Sequence, residues 1–339
     1  MLHEDAKDAI KRLASKVATK DSAYYFTQSV KSLASVASLS LKMRDWRMIY
    51  RALNELTASF KLYIQYRDKK KICLFGSART PKSDPDYKLA KAFSKAIVKK
   101  DFMVVTGAGP GIMQAGNEGA GTENSFGVNI NLPFEQDANP FIAGDPKLIT
   151  YKYFFIRKLI FIRETDATVL FPGGFGTLDE AYECLTLLQT GRAYPRPVVL
   201  MEPEGSTFWE DWMQFFYKSM LPKGLISPDD LRLLKRTSSI DEAVSYIENF
   251  YKVFHSIRYF DKGETSMRLE RVLTDEELSY LNTHFKDILK GQKIVPTEPN
   301  AEEKKLKDFL RKPRILVPFN KINYGRLLDL IHSINDFDL

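Results

Sequence analysis

Along the first 66 residues apolar positions recur at helical spacing, as in Ile10, Leu13 and Val17, and neither glycine nor proline interrupts them. That pattern predicts two or three helices. At Lys69-Lys70-Lys71 the character changes, and short apolar runs begin to alternate with helical stretches. Strands are expected at 72–75, 102–106, 126–132, 148–151, 167–171 and 198–201. Helices are expected at 86–99, from the Gly107–Gly111 loop through 120, and at 153–163, 177–190 and 208–219. The strands are apolar throughout, with no alternation of apolar and polar positions, so both faces should be buried. This predicts an α/β fold with a doubly wound, Rossmann-like parallel sheet flanked by helices. From about residue 254 the pattern changes again, to a hairpin (256–260 with 266–272), helices at 275–289 and 301–311, a strand at 315–319 and a last helix at 324–335. The reading divides the chain into a helical N-terminal extension (1–68), a Rossmann-like domain (69–253) and a small α+β C-terminal unit (254–339). The long polar stretch 133–146 reads as a functional loop or lid.

Composition adds little to that picture. The chain has 339 residues, enough for two domains or one with extensions, and 44% of them are hydrophobic. Fifty Lys and Arg against 43 Asp and Glu give a formal charge of +7, but acids and bases are interleaved. No basic block marks a nucleic-acid tail, so no nucleic-acid partner is expected. The two cysteines, Cys73 and Cys184, lie in apolar surroundings and read as reduced core residues. A polar, acidic start and the lack of a long apolar run point to no signal peptide, no membrane partner and a cytoplasmic protein. The four histidines, His3, His255, His284 and His332, are scattered, so neither a metal nor another cofactor is expected.

Two glycine loops carry the chemistry. Gly107-Ala108-Gly109-Pro110-Gly111 follows a strand and opens a helix, with Pro110 suited to the first helical position. Pro172-Gly173-Gly174-Phe175-Gly176-Thr177 does the same after the strand at 167–171. Backbone N–H groups at such junctions, with the helix dipole behind them, favour an anion such as phosphate. No lysine follows the second loop's glycines, so it is no nucleoside-triphosphate loop. Each loop also has a purely structural reading. The first is a tight turn. In the second, Thr177-x-x-Glu180 fits a capping box, in which Glu180 only closes the helix start. The stretch 153–163 is apolar nearly all round and should be largely buried, yet it carries Arg157. A buried arginine needs a carboxylate or phosphate partner, or it forms a structural salt bridge. Arg163 sits near the helix end, where a cation suits the dipole.

Together the 107–113 loop, the Arg157-Lys158 pair and Pro-Gly-Gly-x-Gly-Thr-x-x-Glu at 172–180 resemble the Lonely Guy (LOG) family over roughly residues 70–250. These are cytokinin riboside 5′-monophosphate phosphoribohydrolases and related nucleotide nucleosidases, often mislabelled lysine decarboxylases. The Gly-Ser-Ala-Arg-Thr-Pro turn at 76–81, the length and the C-terminal unit look more like the larger bacterial members. The resemblance implies hydrolysis of the N-glycosidic bond of a nucleoside 5′-monophosphate, AMP-like or a cytokinin riboside monophosphate, to free base and ribose 5-phosphate. It places catalytic roles on Arg157 and Glu180, and substrate or phosphate binding on Gly107, Gly109, Gly111, Met113, Gly173, Gly174, Gly176 and Thr177. Ser77, Arg79, Asn117 and Lys158 are further candidates. Ala108 departs from a third consecutive glycine common in relatives. Arg157 is expected either to orient Glu180 or to neutralise the phosphate. The family generally self-associates, so a homodimer or larger homo-oligomer is expected. No pyridoxal-phosphate lysine motif supports a decarboxylase. The rival reading is a non-catalytic nucleotide or cofactor carrier on the same fold.

Overall fold

A computed structural model describes residues 4–132, 137–260, 264–307 and 309–337. The chain forms two compact units, one of residues 1–56 with 299–310 and one of 57–298 with 311–339. Compactness thus groups the chain differently from the pattern along the sequence. In the first unit, α1 (Glu4–Val17) and α2 (Ala23–Ala37) pack on one another, and the short α11 (Ala301–Leu306) is closed by a capping box between Asn300 and Glu303. The boundary between the units falls inside α3 (Met43–Tyr63).

The second unit holds a seven-stranded sheet in the order β4-β3-β2-β1-β5-β6-β7. Its strands are β1 (Lys71–Phe75), β2 (Met103–Thr106), β3 (Ser125–Ile130), β4 (Leu148–Tyr151), β5 (Ala167–Leu170), β6 (Val198–Met201) and β7 (Lys235–Thr237). Every pairing is parallel. Helices α4 (Pro85–Val98), α5 (Ile112–Ala120), α6 (Phe154–Glu164), α7 (Phe175–Gln189) and α8 (Phe208–Phe215) lie between successive strands, and α9 (Ile240–Asn249) follows β7. This is the doubly wound Rossmann-like fold that the apolar strands predict. Ile72, Leu74, Val104, Val169 and Val199 bury one face of the sheet against Phe93 and Ile97 of α4, Ile112 of α5 and Ile247 of α9. On α6, Phe161 meets Phe75 edge-on at 4.7 Å between ring centres.

β1 runs to β4 in one direction across the sheet, and β5 to β7 continue in the other. The order therefore reverses between β1 and β5, and a crevice opens there at the carboxyl ends of the strands.

A four-stranded antiparallel sheet, β10-β11-β9-β8, follows, with β8 (Phe254–Tyr259), β9 (Thr265–Leu269), β10 (Val295–Pro296) and β11 (Arg314–Val317). It is accompanied by α10 (Asp275–His284) and α12 (Tyr324–Asp336). The buried Asn335 of α12 accepts from the Val253 and Phe254 amides and donates to the Phe250 and Ile331 carbonyls, all at 2.8–2.9 Å.

Several local expectations need correction. α7 begins at Phe175 with Gly174 as its N-cap, two residues before the predicted start. Glu180 therefore lies in the second turn and cannot close a capping box with Thr177. α5 begins at Ile112 after Gly111, so Pro110 belongs to the preceding turn. α6 is not largely buried: Phe154, Phe155 and Leu159 are 51%, 59% and 48% exposed, because only its Ile156–Ile160–Phe161 face meets the sheet. The helix expected at 208–219 passes into a π-helix at Phe216–Met220. Of the stretch expected as a lid, residues 133–136 lie outside the described residues. Its described part is pinned by the buried Asn139, whose side-chain amide donates to the carbonyls of Ala108 and Gly109 at 3.1 Å each.

Candidate functional site

Three loops at the carboxyl ends of β1, β2 and β5 are tied together by backbone hydrogen bonds. The Ser77 amide donates to the Pro172 carbonyl at 3.1 Å, and the Ile112 amide donates to the Ser77 carbonyl at 3.0 Å. Gly111 allows the second contact. Its φ is +64°, and a Cβ there would sit 2.3 Å from the Ser77 carbonyl oxygen. Behind the β2 loop, Asn117 accepts from the Thr106 hydroxyl at 2.8 Å and from the Asn139 amide at 2.9 Å. Ala108 holds φ +62°, a left-handed conformation that favours glycine.

The loops enclose a cleft of about 650 Å³. Of the predicted residues, Ser77, Arg79, Gly107, Gly109, Met113, Arg157, Gly174, Gly176, Thr177 and Glu180 line it. Gly111, Gly173, Asn117 and Lys158 do not. Gly111 and Asn117 shape the β2 loop from behind. Gly173 makes room for Thr177, whose hydroxyl lies 2.2 Å from where a Gly173 Cβ would be. Sequence reasoning missed Asn129, Leu132, Phe154, Phe175 and Asp179 on the walls. A sequence signal existed only for Phe175 and Asp179, which lie inside the second glycine motif. Phe175 is 94% exposed at the cleft.

No side chain caps α7. Its first intrahelical bond runs from the Leu178 amide to the Gly174 carbonyl, so the amides of Phe175, Gly176 and Thr177 make no intrahelical bond of that kind. An anion in the cleft would complete them.

Glu180, 8% exposed, stands one turn further along α7. Burial raises its pKa above the usual carboxylate value, more than Lys158 and Arg157 lower it. Lys158 reaches Glu180 at 3.4 Å, Asp179 at 3.0 Å and Glu183 at 2.7 Å. Arg157 points elsewhere. Its Nε donates to the Val128 carbonyl at 2.9 Å, and its guanidinium lies 5.3 Å from the centre of the Phe161 ring. A Cβ on Gly107 would stand 2.4 Å from Arg157 Nη2, so glycine leaves space for the guanidinium at the cleft. Among the described residues Arg157 makes no ion pair, which leaves its charge available to a ligand. Burial lowers its pKa, and Glu180 opposes that.

Residues 110–247 match the family described as "possible lysine decarboxylase". The chain is 26% identical over 191 residues to cytokinin riboside 5′-monophosphate phosphoribohydrolase LOG7 of Arabidopsis thaliana, spanning 56% of this chain and 85% of that protein. It is 24% identical over 199 residues to a probable enzyme of the same name, LOGL2, from Oryza sativa subsp. japonica, spanning 58% and 79%. Among solved structures, the molybdenum cofactor binding protein of Rippkaea orientalis is 19% identical, with a TM-score of 0.37 over 53% of this chain and 96% of that one. At that TM-score the likeness carries no functional weight. The motif residues at one cleft, the family match over residues 110–247 and the similarity to the phosphoribohydrolases agree in making this region similar to the Lonely Guy (LOG) family.

Proposed function

We propose that the protein hydrolyses the N-glycosidic bond of a nucleoside 5′-monophosphate, AMP-like or a cytokinin riboside monophosphate, releasing free base and ribose 5-phosphate. The observation that carries this reading is a buried carboxylate, Glu180, on the wall of the cleft that also receives the uncapped start of α7. The first-turn amides of α7 and the Thr177 hydroxyl hold the phosphate, with Arg79 at the rim adding charge. That anchor sets the ribose against Glu180. As the bond from C1′ to the base nitrogen breaks, its electron pair leaves with the base and positive charge grows on the sugar. Glu180 stabilises that charge and takes a proton from the water that bonds to C1′, while the departing base gains a proton. Arg157, unpaired and facing the cleft, compensates the anionic substrate.

Base release from a panel of nucleoside 5′-monophosphates tests this. Glu180→Gln should lower kcat by about 10²–10⁴-fold, the usual size of a general-base contribution. Release from no monophosphate sinks the enzyme reading and leaves a non-catalytic nucleotide binder, which needs the phosphate cradle but not Glu180. We also propose a homodimer or larger homo-oligomer, checked by light scattering in solution.

A further inference from the structure

One ammonium serves three carboxylates beside the cleft. Lys158 Nζ lies 2.7 Å from Glu183, 3.0 Å from Asp179 and 3.4 Å from Glu180. Its side chain is 14% exposed, so this is not a loose surface pair. Lys158 follows Arg157 directly, and successive helical residues point about 100° apart. The pair is thereby split: Arg157 faces β3 and Gly107, and Lys158 faces α7. Lys158 does not line the cleft, whereas Arg157 does. Among the described residues Lys158 is the only cation within 4 Å of Glu180. Without it, three acids within five residues of α7 would face one another, one of them buried. Glu180 would then turn away or take up a proton.

We infer that Lys158 is the positioning residue of this site, clamping the Glu180 carboxylate at the cleft wall as an anion and acting on substrate only through it. Its catalytic consequence rests on the hydrolase reading above; the clamp itself does not. The charged and titratable groups around Glu180 are Arg157 and Lys158 from α6, Asp179, Glu183 and the buried Cys184 from α7, and, beyond Arg157, Tyr151 of β4. Lys158 is foremost among those that lower the Glu180 pKa against burial. The Lys158 pKa is itself raised: burial lowers it, but Glu183, Glu180 and Asp179 outweigh that.

The test reads Glu180 directly. In protein labelled with 13C at its glutamate carboxyls, the Glu180 signal is the one lost in Glu180→Gln. Lys158→Met should move its titration midpoint up by about one pH unit, since a nearby opposite charge typically lowers a carboxyl pKa by about 1–3 units. Lys158→Arg should restore most of the shift. An unmoved midpoint in folded Lys158→Met overturns the inference. If Lys158→Met does not fold, the double variant Asp179→Asn/Glu183→Gln asks the same question from the other side. Lys158 then serves Glu180 alone and the midpoint should fall; a midpoint that stays overturns the clamp. In turnover, the acid limb of kcat/KM should follow the midpoint in each variant. A wild type that releases no base while the midpoint still moves sinks the hydrolase reading and leaves the clamp standing.

Discussion

Glu180 is held ionised in a place that favours its protonated form, and the sign of the consequence follows from its raised pKa. A carboxyl whose folded pKa exceeds its unfolded value loses stability as pH rises through that window, and the loss is complete above the folded pKa. Glu180→Gln should therefore raise Tm at neutral pH, and the gain should vanish below the unfolded glutamate value of about 4.3. Melting curves of both proteins across pH 3–8 check this, and an equal difference at every pH contradicts it. Gly107 gives a second residue-level prediction. In Gly107→Ala the new methyl meets Arg157 Nη2 at 2.4 Å and Met113 Sδ at 2.6 Å, the far ends of two flexible side chains. The fold should tolerate this with about 1 kcal/mol lost or less, but Arg157 must move. Misplacing a substrate-facing group costs on the order of 10²-fold in kcat/KM. Steady-state kinetics and thermal melting together separate the two effects.

Among elements, those with the strongest local signal were the most legible. The central strands are apolar on both faces because helices cover both, and their positions were readable within a residue or two. β7 and α9 were not foreseen. β7 is a three-residue edge strand, Lys235–Thr237, too short and polar to stand out. The start of α7 was misplaced because Thr177-x-x-Glu180 imitates a capping box, whereas the chain turns helical at Phe175. That two-residue shift moves Glu180 from the cap to the cleft wall. Asn335 of α12 offers a structural contrast to the site. It makes four hydrogen bonds while 1% exposed, so Asn335→Ala takes a partner from the Val253 and Phe254 amides and from the Phe250 carbonyl, while the Ile331 carbonyl keeps its helical bond. The expected cost is about 2–4 kcal/mol in chemical denaturation, since each unsatisfied buried group typically costs about 1–3 kcal/mol and not all add. An intact kcat in the folded fraction marks Asn335 as structural.

For the whole molecule, binding and turnover can be separated by linkage. A ligand at 100 times its Kd stabilises by about 2.7 kcal/mol. In Glu180→Gln a nucleoside 5′-monophosphate should raise Tm, and the matching nucleoside without phosphate should raise it much less. Equal shifts would show that the phosphate cradle is not the anchor. The bulk charge of +7 says little by comparison, because acids and bases alternate along the chain.

The sequence by itself determined the alternation of strand and helix, the parallel sheet, the two glycine loops and the motif residues that resemble the LOG family. These are local properties, set by hydrophobic period and by the backbone freedom of glycine, and a linear pattern can hold them. Only the tertiary structure decided how the cations divide their work. β4 lies at the sheet edge and β5 beside β1, so α6 must cross between them, and that crossing aims Arg157 at Gly107 and Lys158 at α7. Two adjacent residues thereby acquire different partners, 21–25 residues further on for Lys158 and 29–50 residues back for Arg157. No local period encodes such a meeting, because it depends on strand order and helix crossing.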